Sequence, residues 1–250
     1  MARRRPKGRD VDGILLLDKP IGMTSNAALQ TVKRLFKASK AGHTGNLDPL
    51  ATGLLPICFG EATKISSFLL DSDKHYIGTC KLGVRTSTAD TEGEILETRP
   101  VGEINTRQVQ AVLEGFIGQI EQIPPMYSAV KVNGTPLYKL AREGKEIERK
   151  SRRVTIYEIN LLRLEGDELE IDLRCSKGTY VRTLAEDIGA ALGCGAHLSA
   201  LRRTASGPFE LEHAVTLPEL EQLAESSFEE LDDLLLPMED ALFDWPMVNM

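Results

Sequence analysis

The sequence predicts an α+β protein in which helices flank a mixed, largely antiparallel central sheet. Two kinds of hydrophobic pattern support this prediction. Apolar residues recur at helical spacing over residues 25–36 and 106–117, whereas residues 168–175 alternate between apolar and charged side chains, as a half-exposed strand does. Residues 154–164 precede that strand across a Glu-Gly-Asp turn, so we expect the two segments to form an antiparallel hairpin.

The elements follow one another in a simple order. A short apolar run at Gly13–Leu17 predicts a buried strand, and the first helix follows it with Thr24 or Ser25 as its cap. The second helix begins after Asn105, which is also a good capping residue. We expect the apolar face of each helix to lie in the core, and we assign these faces no chemistry. They comprise Ala28, Leu29, Val32, Leu35 and Phe36 in the first helix and Val109, Val112, Leu113, Phe116 and Ile117 in the second.

Charge is distributed unevenly along the chain. The 250 residues include 30 basic and 37 acidic side chains, which give a net charge of −7 at pH 7. Twelve of the acidic residues lie after Arg203, where the sequence contains no Lys or Arg. Residues 1–203 therefore carry 25 acids against 30 bases, a net charge of +5. Because phosphate binding depends on the local field, the acidic C-terminal segment does not argue against a nucleic-acid partner.

Nothing in the sequence predicts export or membrane insertion. No apolar stretch is long enough to span a bilayer. The first ten residues contain five basic side chains, but the apolar run after them is too short for a signal peptide and ends in Asp18-Lys19-Pro20. We therefore expect a cytoplasmic protein.

The cysteine and histidine residues predict neither disulfides nor a metal site. They are scattered, without a Cys-x-x-Cys pair, and a chain of this size does not need disulfides to fold. We expect the cysteines to be reduced and mostly buried, and we expect no metal because zinc requires clustered ligands. The residues concerned are Cys58, Cys80, Cys175, Cys194, His43, His75, His197 and His213.

The segment Ala41–Gly53, AGHTGNLDPLATG, has the strongest character of a chemical centre. It places one carboxylate, Asp48, in a loop between the first helix and the apolar run Leu54–Phe59. An Asp before Pro commonly opens a turn, so Asp48 could have that role alone. A loop that core elements anchor on both sides can instead hold an acid rigidly. The residues that shape the loop are Gly42, Gly45, Gly53 and Pro49.

This loop and the run LLPICFGEATK after it closely resemble the catalytic motif of the TruB-type tRNA pseudouridine synthases, which isomerise uridine 55 in the T-loop of tRNA. The resemblance covers nearly the whole chain in the family's order, and it implies a pseudouridine synthase fold. One position differs, because Asn46 stands where the family usually has a small residue. The other matching segments are GILLLDKPIGMTSN from Gly13, LLDSDKHY from Leu69, IPPMYSAVKVNGTPLYKLAREG from Ile123, CSKGTYVRTLAEDIG from Cys175 and CGAHLSALRRT from Cys194.

The resemblance implies that Asp48 is the nucleophile that acts on a flipped-out uridine. Attack on C1′ of the sugar and attack on C6 of the base both stay open. The isomerisation leaves the composition unchanged and needs no cofactor, and the sequence contains neither a GxxxxGK[ST] loop nor a GxGxxG motif after a strand. We expect a monomeric enzyme whose partner is the T-arm of tRNA.

Arg182 is the candidate cationic partner of Asp48. A carboxylate in a dry pocket needs such a partner, because burial alone raises its pKa. Arg182 lies in the first turn of a helix that Gly178 and Thr179 open, where the helix dipole disfavours a positive charge, so we expect an acidic neighbour. The resemblance favours Asp48, whereas Arg182 could otherwise reach solvent or Glu186.

Tyr76 matches the stacking tyrosine of the family, which is also thought to assist removal of the proton from C5. Stacking on an aromatic ring offsets part of the free energy that base extrusion requires. A tyrosine in a strand is otherwise ordinary core. However, Asp73, Lys74 and His75 are too polar for the start of a fully buried strand.

The resemblance assigns further residues to the site. His43 corresponds to the residue that occupies or supports the space left by the flipped nucleotide, and Tyr180 and Leu201 correspond to residues that line the uridine pocket. Without the resemblance, His43 would be interpreted as a surface hydrogen-bonding group and the other two as core. Lys19 and Pro20 match a supporting element beneath the catalytic loop, so we expect a structural role for them.

By the same resemblance we divide the chain into three segments. Residues 1–12 are a basic N-terminal arm, residues 13–208 the catalytic domain, and residues 209–250 its acidic C-terminal segment. The sequence stops after Trp245–Met250, where family members commonly begin a small RNA-binding PUA domain, so we expect that domain to be absent.

A short basic segment is a candidate for binding the RNA backbone, although a solvated charged face explains it equally well. A protein that only binds or folds tRNA would share these charges and Tyr76 but would not need Asp48. A base deaminase is a weaker alternative, because the HxE and PCxxC motifs are missing. The basic residues are Arg142, Lys145, Arg149, Lys150, Arg152 and Arg153.

Overall fold

The structure is a computed structural model that describes residues 8–132 and 134–242. This part of the chain divides into two compact units. The first contains residues 8–74 and 202–242, and the second contains residues 75–132 and 134–201. Helices alternate along the chain with strands that pair mostly antiparallel, so the predicted α+β class is confirmed.

The described residues form fourteen strands and seven α-helices. In chain order they are β1 Gly13–Lys19, α1 Ser25–Leu35, β2 Ala41–His43, β3 Ala51–Phe59, α2 Ser66–Leu70, β4 Lys74–Leu82, β5 Val84–Thr86, β6 Ile95–Thr98, α3 Thr106–Glu114, β7 Gly118–Gln122, β8 Lys131–Val132, β9 Thr135–Pro136, α4 Leu137–Arg142, β10 Arg152–Glu165, β11 Glu168–Cys175, α5 Val181–Ala191, β12 Ala196–Ser206, β13 Phe209–Glu210, β14 Val215–Thr216, α6 Leu217–Ser226 and α7 Phe228–Asp232.

The first unit contains a mixed sheet with the strand order β14-β1-β3-β12, to which β12 contributes its part from Arg202 onward. β1 pairs antiparallel with β3 and parallel with β14, while β2 lies beside β3 and β13 beside β12. The apolar run that follows the Asp48 loop is β3, and its burial confirms the prediction for Leu54–Phe59. The hydrophobic core of this first unit includes Ile14, Leu16, Leu54, Cys58, Leu69 and Phe209.

The second unit contains strands in the order β12-β4-β11-β10-β7, to which β12 contributes its part up to Leu201. The hairpin of β10 and β11 is antiparallel, with Leu161 opposite Ile171, as the alternating pattern predicts. Two register shifts in β10 interrupt the pairing. Separate short hairpins are formed by β5 with β6 and by β8 with β9.

The predicted helix caps are confirmed, but the second helix is shorter than predicted. Thr24 accepts a hydrogen bond from the Ala27 amide at the start of α1, and Asn105 forms a capping box with Gln108 at the start of α3. The latter helix ends at Glu114, so the prediction that Ile117 lies in the core is wrong, since it is 50% exposed. Glycines at positions 115 and 118 favour this early end, because the chain must turn there to enter β7.

The acidic C-terminal segment contacts the start of the chain. Asp232 of α7 forms an ion pair with Arg9, whose guanidinium also lies 4.3 Å from the ring centroid of Phe228. The rest of the basic arm, residues 1–7, and the chain end at 243–250 lie outside the described residues. None of the described helices has the length and apolar character needed to cross a membrane.

Candidate active site

The loop that carries Asp48 is fixed at both ends. It leaves β2 and enters β3, and the Oγ of buried Ser25 accepts a hydrogen bond from the Leu47 amide (2.7 Å) and donates one to the Leu47 carbonyl (3.1 Å). The Ala51 amide donates to the Asp48 carbonyl (3.0 Å), so Asp48 also opens a turn. Both interpretations of the Asp-Pro pair therefore describe part of the loop, and half-buried Asp48 lies between two fixed points.

Two of the three loop glycines are required by the backbone. Gly45 has φ +147° and Gly53 has φ +98°, and a Cβ on Gly53 would lie 2.3 Å from the Arg203 carbonyl oxygen. Gly42 has no positive φ and open space around it, so the predicted special conformation is wrong there. Asn46 is exposed, so this departure from the family pattern meets no packing constraint.

A tight turn supports the loop from the end of β1. The ammonium of fully buried Lys19 donates hydrogen bonds to the carbonyls of Pro20 (2.8 Å) and Met23 (2.6 Å). The Gly22 amide in the same turn donates to the Pro49 carbonyl (2.8 Å), directly after Asp48. These contacts agree with the structural role predicted for Lys19 and Pro20.

His43 is the last residue of β2 and pairs in register with Ile57 of β3. Burial lowers the pKa of His43, and the nearby charge of Arg203 lowers it further, while the Gly45 backbone opposes part of this shift. The imidazole is therefore neutral at pH 7 and can donate and accept hydrogen bonds without adding charge.

Tyr76 is buried in β4, where buried and half-buried side chains alternate. Asp73 and His75 are half-buried, so the start of the strand is not fully buried, as predicted, although Lys74 itself is buried. Its ammonium donates to the carbonyls of Leu69 (3.3 Å) and Leu70 (2.8 Å), which satisfies the buried charge. Next to Tyr76, His75 points its Nε2 to within 2.7 Å of Asp172 Oδ1.

Arg182 is buried in the first turn of α5, and a nearby acid offsets its charge. Its Nη1 donates to Asp90 Oδ2 (3.3 Å) and to the Thr88 carbonyl (3.2 Å), and its Nη2 donates to the Tyr127 carbonyl (2.8 Å). Glu186, the local alternative considered from the sequence, lies 3.9 Å from Arg85. The expectation of an acidic neighbour is confirmed by Asp90, and the pairing of Arg182 with Asp48 stays a prediction.

Asp90 is the acidic partner of Arg182 that sequence reasoning missed. Its side chain accepts hydrogen bonds from the Thr88 hydroxyl and from the Glu92 amide (3.0 Å), which makes a local turn. In the sequence TADTEGE such an acid is typical of an exposed turn. In the structure Asp90 is only 1% exposed. Its contact with Arg182, 92 residues further along the chain, distinguishes it from an ordinary turn residue.

Tyr180 and Leu201 both lie in the second unit. Tyr180 is the N-cap of α5, and its backbone exchanges two hydrogen bonds with the Gln122 side chain, at 2.9 and 3.3 Å. This side-chain clamp fixes the start of the helix that carries Arg182. Leu201 is buried in β12, and its Cδ1 lies 3.6 Å from the position of a Cβ on Gly78 of β4.

Three residues of the basic segment, Arg149, Lys150 and Arg152, line a small cavity in the second unit. The cavity has a volume of about 280 Å³, with Val130 and Leu137 in its apolar lining and Lys150 and Arg152 in its basic lining. Arg149 donates to the Pro124 carbonyl (3.1 Å), so this arginine is part of the wall. Lys150, Arg152 and Arg153 are exposed, as a surface that binds phosphates requires.

The cysteines are free and buried, as predicted. Burial raises the pKa of Cys58 and of Cys80 to about 12, so neither thiol is reactive at neutral pH. Within residues 8–132 and 134–242, no three His, Cys, Asp or Glu side chains converge in a way that could hold a metal ion.

Comparison with solved structures defines the class of protein. A chain in a Cbf5–Nop10–Gar1 complex superposes with a TM-score of 0.73 and 32% identity, covering 92% of this chain and 61% of that one. A chain of an H/ACA RNP bound to a substrate RNA containing 2′-deoxyuridine gives a TM-score of 0.70 and 27% identity, covering 96% of this chain and 67% of that one. The fold is that of the pseudouridine synthases.

Sequence comparison then defines the family. The model for the N-terminal domain of the TruB family pseudouridylate synthases matches residues 33–181, and that for the tRNA pseudouridylate synthase B C-terminal domain matches residues 182–243. The tRNA pseudouridine synthase B of Nitrosococcus oceani is 59% identical over 248 residues, covering 99% of this chain and 80% of that protein. That of Ectopseudomonas mendocina is 58% identical over 250 residues, covering 100% and 81%. The chain therefore belongs to the TruB family.

Proposed function

We propose that this protein isomerises uridine 55 in the T-loop of tRNA to pseudouridine, with Asp48 as the nucleophile. Membership of the TruB family supports the reaction, and two relatives that share 59% and 58% identity are tRNA pseudouridine synthases B. The observation that carries the proposal is the anchored loop, because Ser25 and the Ala51 amide fix the backbone on both sides of the one acid that the reaction needs.

The reaction begins with a base that is inaccessible inside a folded RNA loop. Flipping the nucleotide out requires a few kcal/mol, which contacts with the protein must offset. Asp48 then attacks C1′ or C6, the N1–C1′ bond breaks, and the base turns so that C5 bonds to C1′. The bond to Asp48 breaks, C5 loses its proton and N1 gains one, so the composition of the RNA is unchanged. A nucleophile held by fixed backbone contacts is already positioned when the RNA arrives, which lowers the entropic part of the barrier.

We assign the other roles residue by residue. Tyr76 stacks on the flipped base and assists removal of the proton from C5, and Arg182 balances the charge of Asp48. His43 is neutral at pH 7, because burial and Arg203 lower its pKa. It occupies or supports the space that the flipped nucleotide leaves in the RNA loop. Tyr180 and Leu201 line the uridine pocket. Rigid support for Tyr180 by Gln122 favours such a role.

The proposed substrate contacts extend to the RNA backbone and the T-arm. Lys150, Arg152 and Arg153, three exposed residues of the basic segment, supply charges for the phosphates. We further propose that the protein acts as a monomer in the cytoplasm. Light scattering of the protein alone and with tRNA measures the mass of each species directly.

The decisive experiment incubates unmodified tRNA transcript with the protein and maps pseudouridine at single-nucleotide resolution. We expect one product position, uridine 55, and no product with Asp48→Ala or Asp48→Asn. Binding of tRNA by both variants should stay close to that of the unaltered protein, since neither change removes a basic residue. Product formation by either variant would contradict the role of Asp48, and binding without any product from the unaltered protein would favour an RNA-folding function.

Two conservative variants separate the remaining roles. Arg182→Lys keeps a positive charge but loses the planar fork, so we expect most activity to be lost while the fold is retained. Tyr76→Phe keeps the ring and should keep RNA affinity, but proton transfer from C5 should fail. Near-normal turnover by Arg182→Lys would contradict the proposed pairing of Arg182 with Asp48.

The salt dependence of binding tests the basic segment. Each phosphate contact contributes to the slope of log affinity against log salt concentration, so the double variant Lys150→Gln/Arg152→Gln should reduce that slope by about 1 to 2. Arg163→Gln is a matched control, because that arginine already lies among Glu165, Glu168 and Glu170. Equal slopes for the double variant and the unaltered protein would mean that the segment is only a solvated face.

A further inference from the structure

One buried arginine, Arg203 of β12, contacts the Asp48 loop on both sides of the acid. Its Nε donates a hydrogen bond to the Leu54 carbonyl (2.7 Å), directly after the loop. Its Nη1 lies 3.4 Å from the position that a Cβ on Gly45 would take, before Asp48. The backbone of Arg203 also approaches Gly53 so closely that a Cβ there would lie 2.3 Å from its carbonyl oxygen.

The charge of Arg203 is buried without a carboxylate to balance it. The residue is 1% exposed, and within the described residues no acidic oxygen lies within 4.0 Å of its guanidinium. Its Nη2 also lacks a hydrogen-bond partner among those residues. The next residue, Arg202, differs in both respects, since its side chain is 43% exposed and its Nη2 lies 2.7 Å from Asp18.

An unbalanced buried charge is unfavourable for folding, and an apolar side chain of similar size fills such a volume at least as well. Packing alone therefore does not explain a guanidinium at this position. What the guanidinium adds is a rigid set of donors and a positive charge, and both act on the loop between Gly45 and Leu54.

We propose that Arg203 is a positioning residue for the reaction, which holds the loop carrying His43 and Asp48 in its working conformation. This inference rests on the function proposed above. Arg203 contacts the loop at Gly45 and the Leu54 carbonyl just after it, so these contacts resist a change in the distance between the two points when RNA binds. A displacement of about 1 Å at a reacting group can lower turnover about 100-fold, so a fixed loop has a large kinetic effect.

The electrostatic effect of Arg203 on His43 gives an independent measure of the same arrangement. Burial is the main reason that the pKa of His43 is lowered, and the charge of Arg203 is the second. The effect of the Arg203 charge on the pKa of His43 depends on the guanidinium lying close to the His43 ring. Removing the charge should therefore raise the pKa of His43 part of the way to its ordinary value, without any need for turnover.

The test compares three variants of the full chain. Arg203→Met keeps the length and apolar volume but removes the charge and the donors, and Arg203→Lys keeps the charge without the fork. Arg163→Met is the control, because that arginine is 42% exposed and pairs with Glu165 in the second unit. For Arg203→Met we expect kcat on unmodified tRNA to fall about 100-fold with little change in KM. Arg203→Lys should recover part of that loss, and Arg163→Met should keep a kcat close to that of the unaltered protein.

Two measurements on the free proteins report on the loop itself. Titration of the histidine ring signals by NMR, with His43→Gln to assign the resonance, should show a raised His43 pKa in Arg203→Met only. Hydrogen exchange of the Leu47 and Ala51 amides, which are bonded to Ser25 Oγ and the Asp48 carbonyl, should be faster in the same variant. Neither measurement depends on pseudouridine formation.

The outcomes separate positioning from simple stabilisation. Unchanged kcat and unchanged amide exchange in a folded Arg203→Met protein would overturn the proposal, as would a loss of kcat fully explained by thermal unfolding with His43 unaffected. If Arg203→Met does not fold, the test depends on Arg203→Lys. Full turnover by that variant would overturn the proposal that the planar guanidinium of Arg203 positions the loop. If the unaltered protein makes no pseudouridine, the proposed function fails, while the exchange and titration data still report whether Arg203 fixes the loop.

Discussion

Two arginines, one in each unit, are almost completely buried, but only one of them has a carboxylate beside its guanidinium. Arg182 is 5% exposed and contacts the carboxylate of Asp90 as well as two backbone carbonyls. Arg203 is 1% exposed and donates to one carbonyl, with no carboxylate near it in the described chain. The first arrangement neutralises a charge where it lies. The second leaves a positive charge beside the Asp48 loop, so a buried arginine can either form half of an ion pair or act as a local source of positive potential.

Removing the acid from the paired arginine should have the largest effect on stability. Asp90→Ala leaves the guanidinium of Arg182 buried without that carboxylate, so the free energy of unfolding should fall by about 3–5 kcal/mol. Urea denaturation measures it. Asp167→Ala, which removes the partner of Lys81 in a partly exposed pair, is the control and should change stability by less than about 1 kcal/mol. Equal losses for both variants would contradict the conclusion that Asp90 balances a buried charge.

The second largest effect on stability should come from the close contact between the Arg203 backbone and Gly53. Gly53→Ala places a Cβ 2.3 Å from the Arg203 carbonyl at a positive φ, so the free energy of unfolding should fall by about 2 kcal/mol or more. Gly42→Ala, in the same loop, meets open space and needs no unusual φ, so it should be nearly neutral. A similar cost at both positions would mean that strand β12 does not constrain the loop. Denaturation of both variants under one condition makes the comparison.

The bonds from Ser25 of α1 to Leu47 in the loop should contribute less to the free energy of unfolding. Ser25→Ala leaves the buried amide and carbonyl of Leu47 without the Ser25 hydroxyl, so unfolding should become easier by about 1–3 kcal/mol. The Leu47 amide should also exchange faster by NMR. Ser226→Ala, whose hydroxyl bonds to Glu230 at the surface, provides a control in which little change is expected. A stable loop in Ser25→Ala would shift the anchoring role towards Arg203.

The smallest effect concerns pH. The pKa of His43 is lowered in the folded state from its ordinary value of 6.5, so below that pH the unfolded chain binds more protons at this residue. Stability from this residue is therefore fully present above pH 6.5 and is lost as the pH falls towards the folded-state pKa. Urea midpoints at about pH 7.5 and about pH 5.5 should differ less for His43→Gln than for the unaltered protein. The difference should also shrink in Arg203→Met, whereas an unchanged difference would show that the charge does not reach His43.

Local patterns were sufficient to predict much of the fold. The alternation in Glu168–Cys175 and the capping residues Thr24 and Asn105 act over a few neighbouring residues, and all three predictions are confirmed. The membership of the TruB family also followed from continuous motifs. The error at Ile117 arose because apolar spacing alone continued the helix past a glycine that ends it.

Contacts between distant parts of the chain could not be predicted in the same way. Asp90 looks like a turn residue until α5 brings Arg182 to it, and Lys74 looks exposed until the carbonyls of α2 surround its ammonium. Adjacent arginines at positions 202 and 203 give no sign of which one is buried. A strand at that position would place them on opposite faces, and only the three-dimensional arrangement identifies the inner one.

The hydrogen bond from Arg203 to the Leu54 carbonyl joins residues that are 149 positions apart in the chain. During translation, Asp48 and its surrounding glycines leave the ribosome long before the strand that completes their support has been synthesised. The nascent chain therefore carries Asp48 in an unfinished loop until β12 has been synthesised and docks beside it.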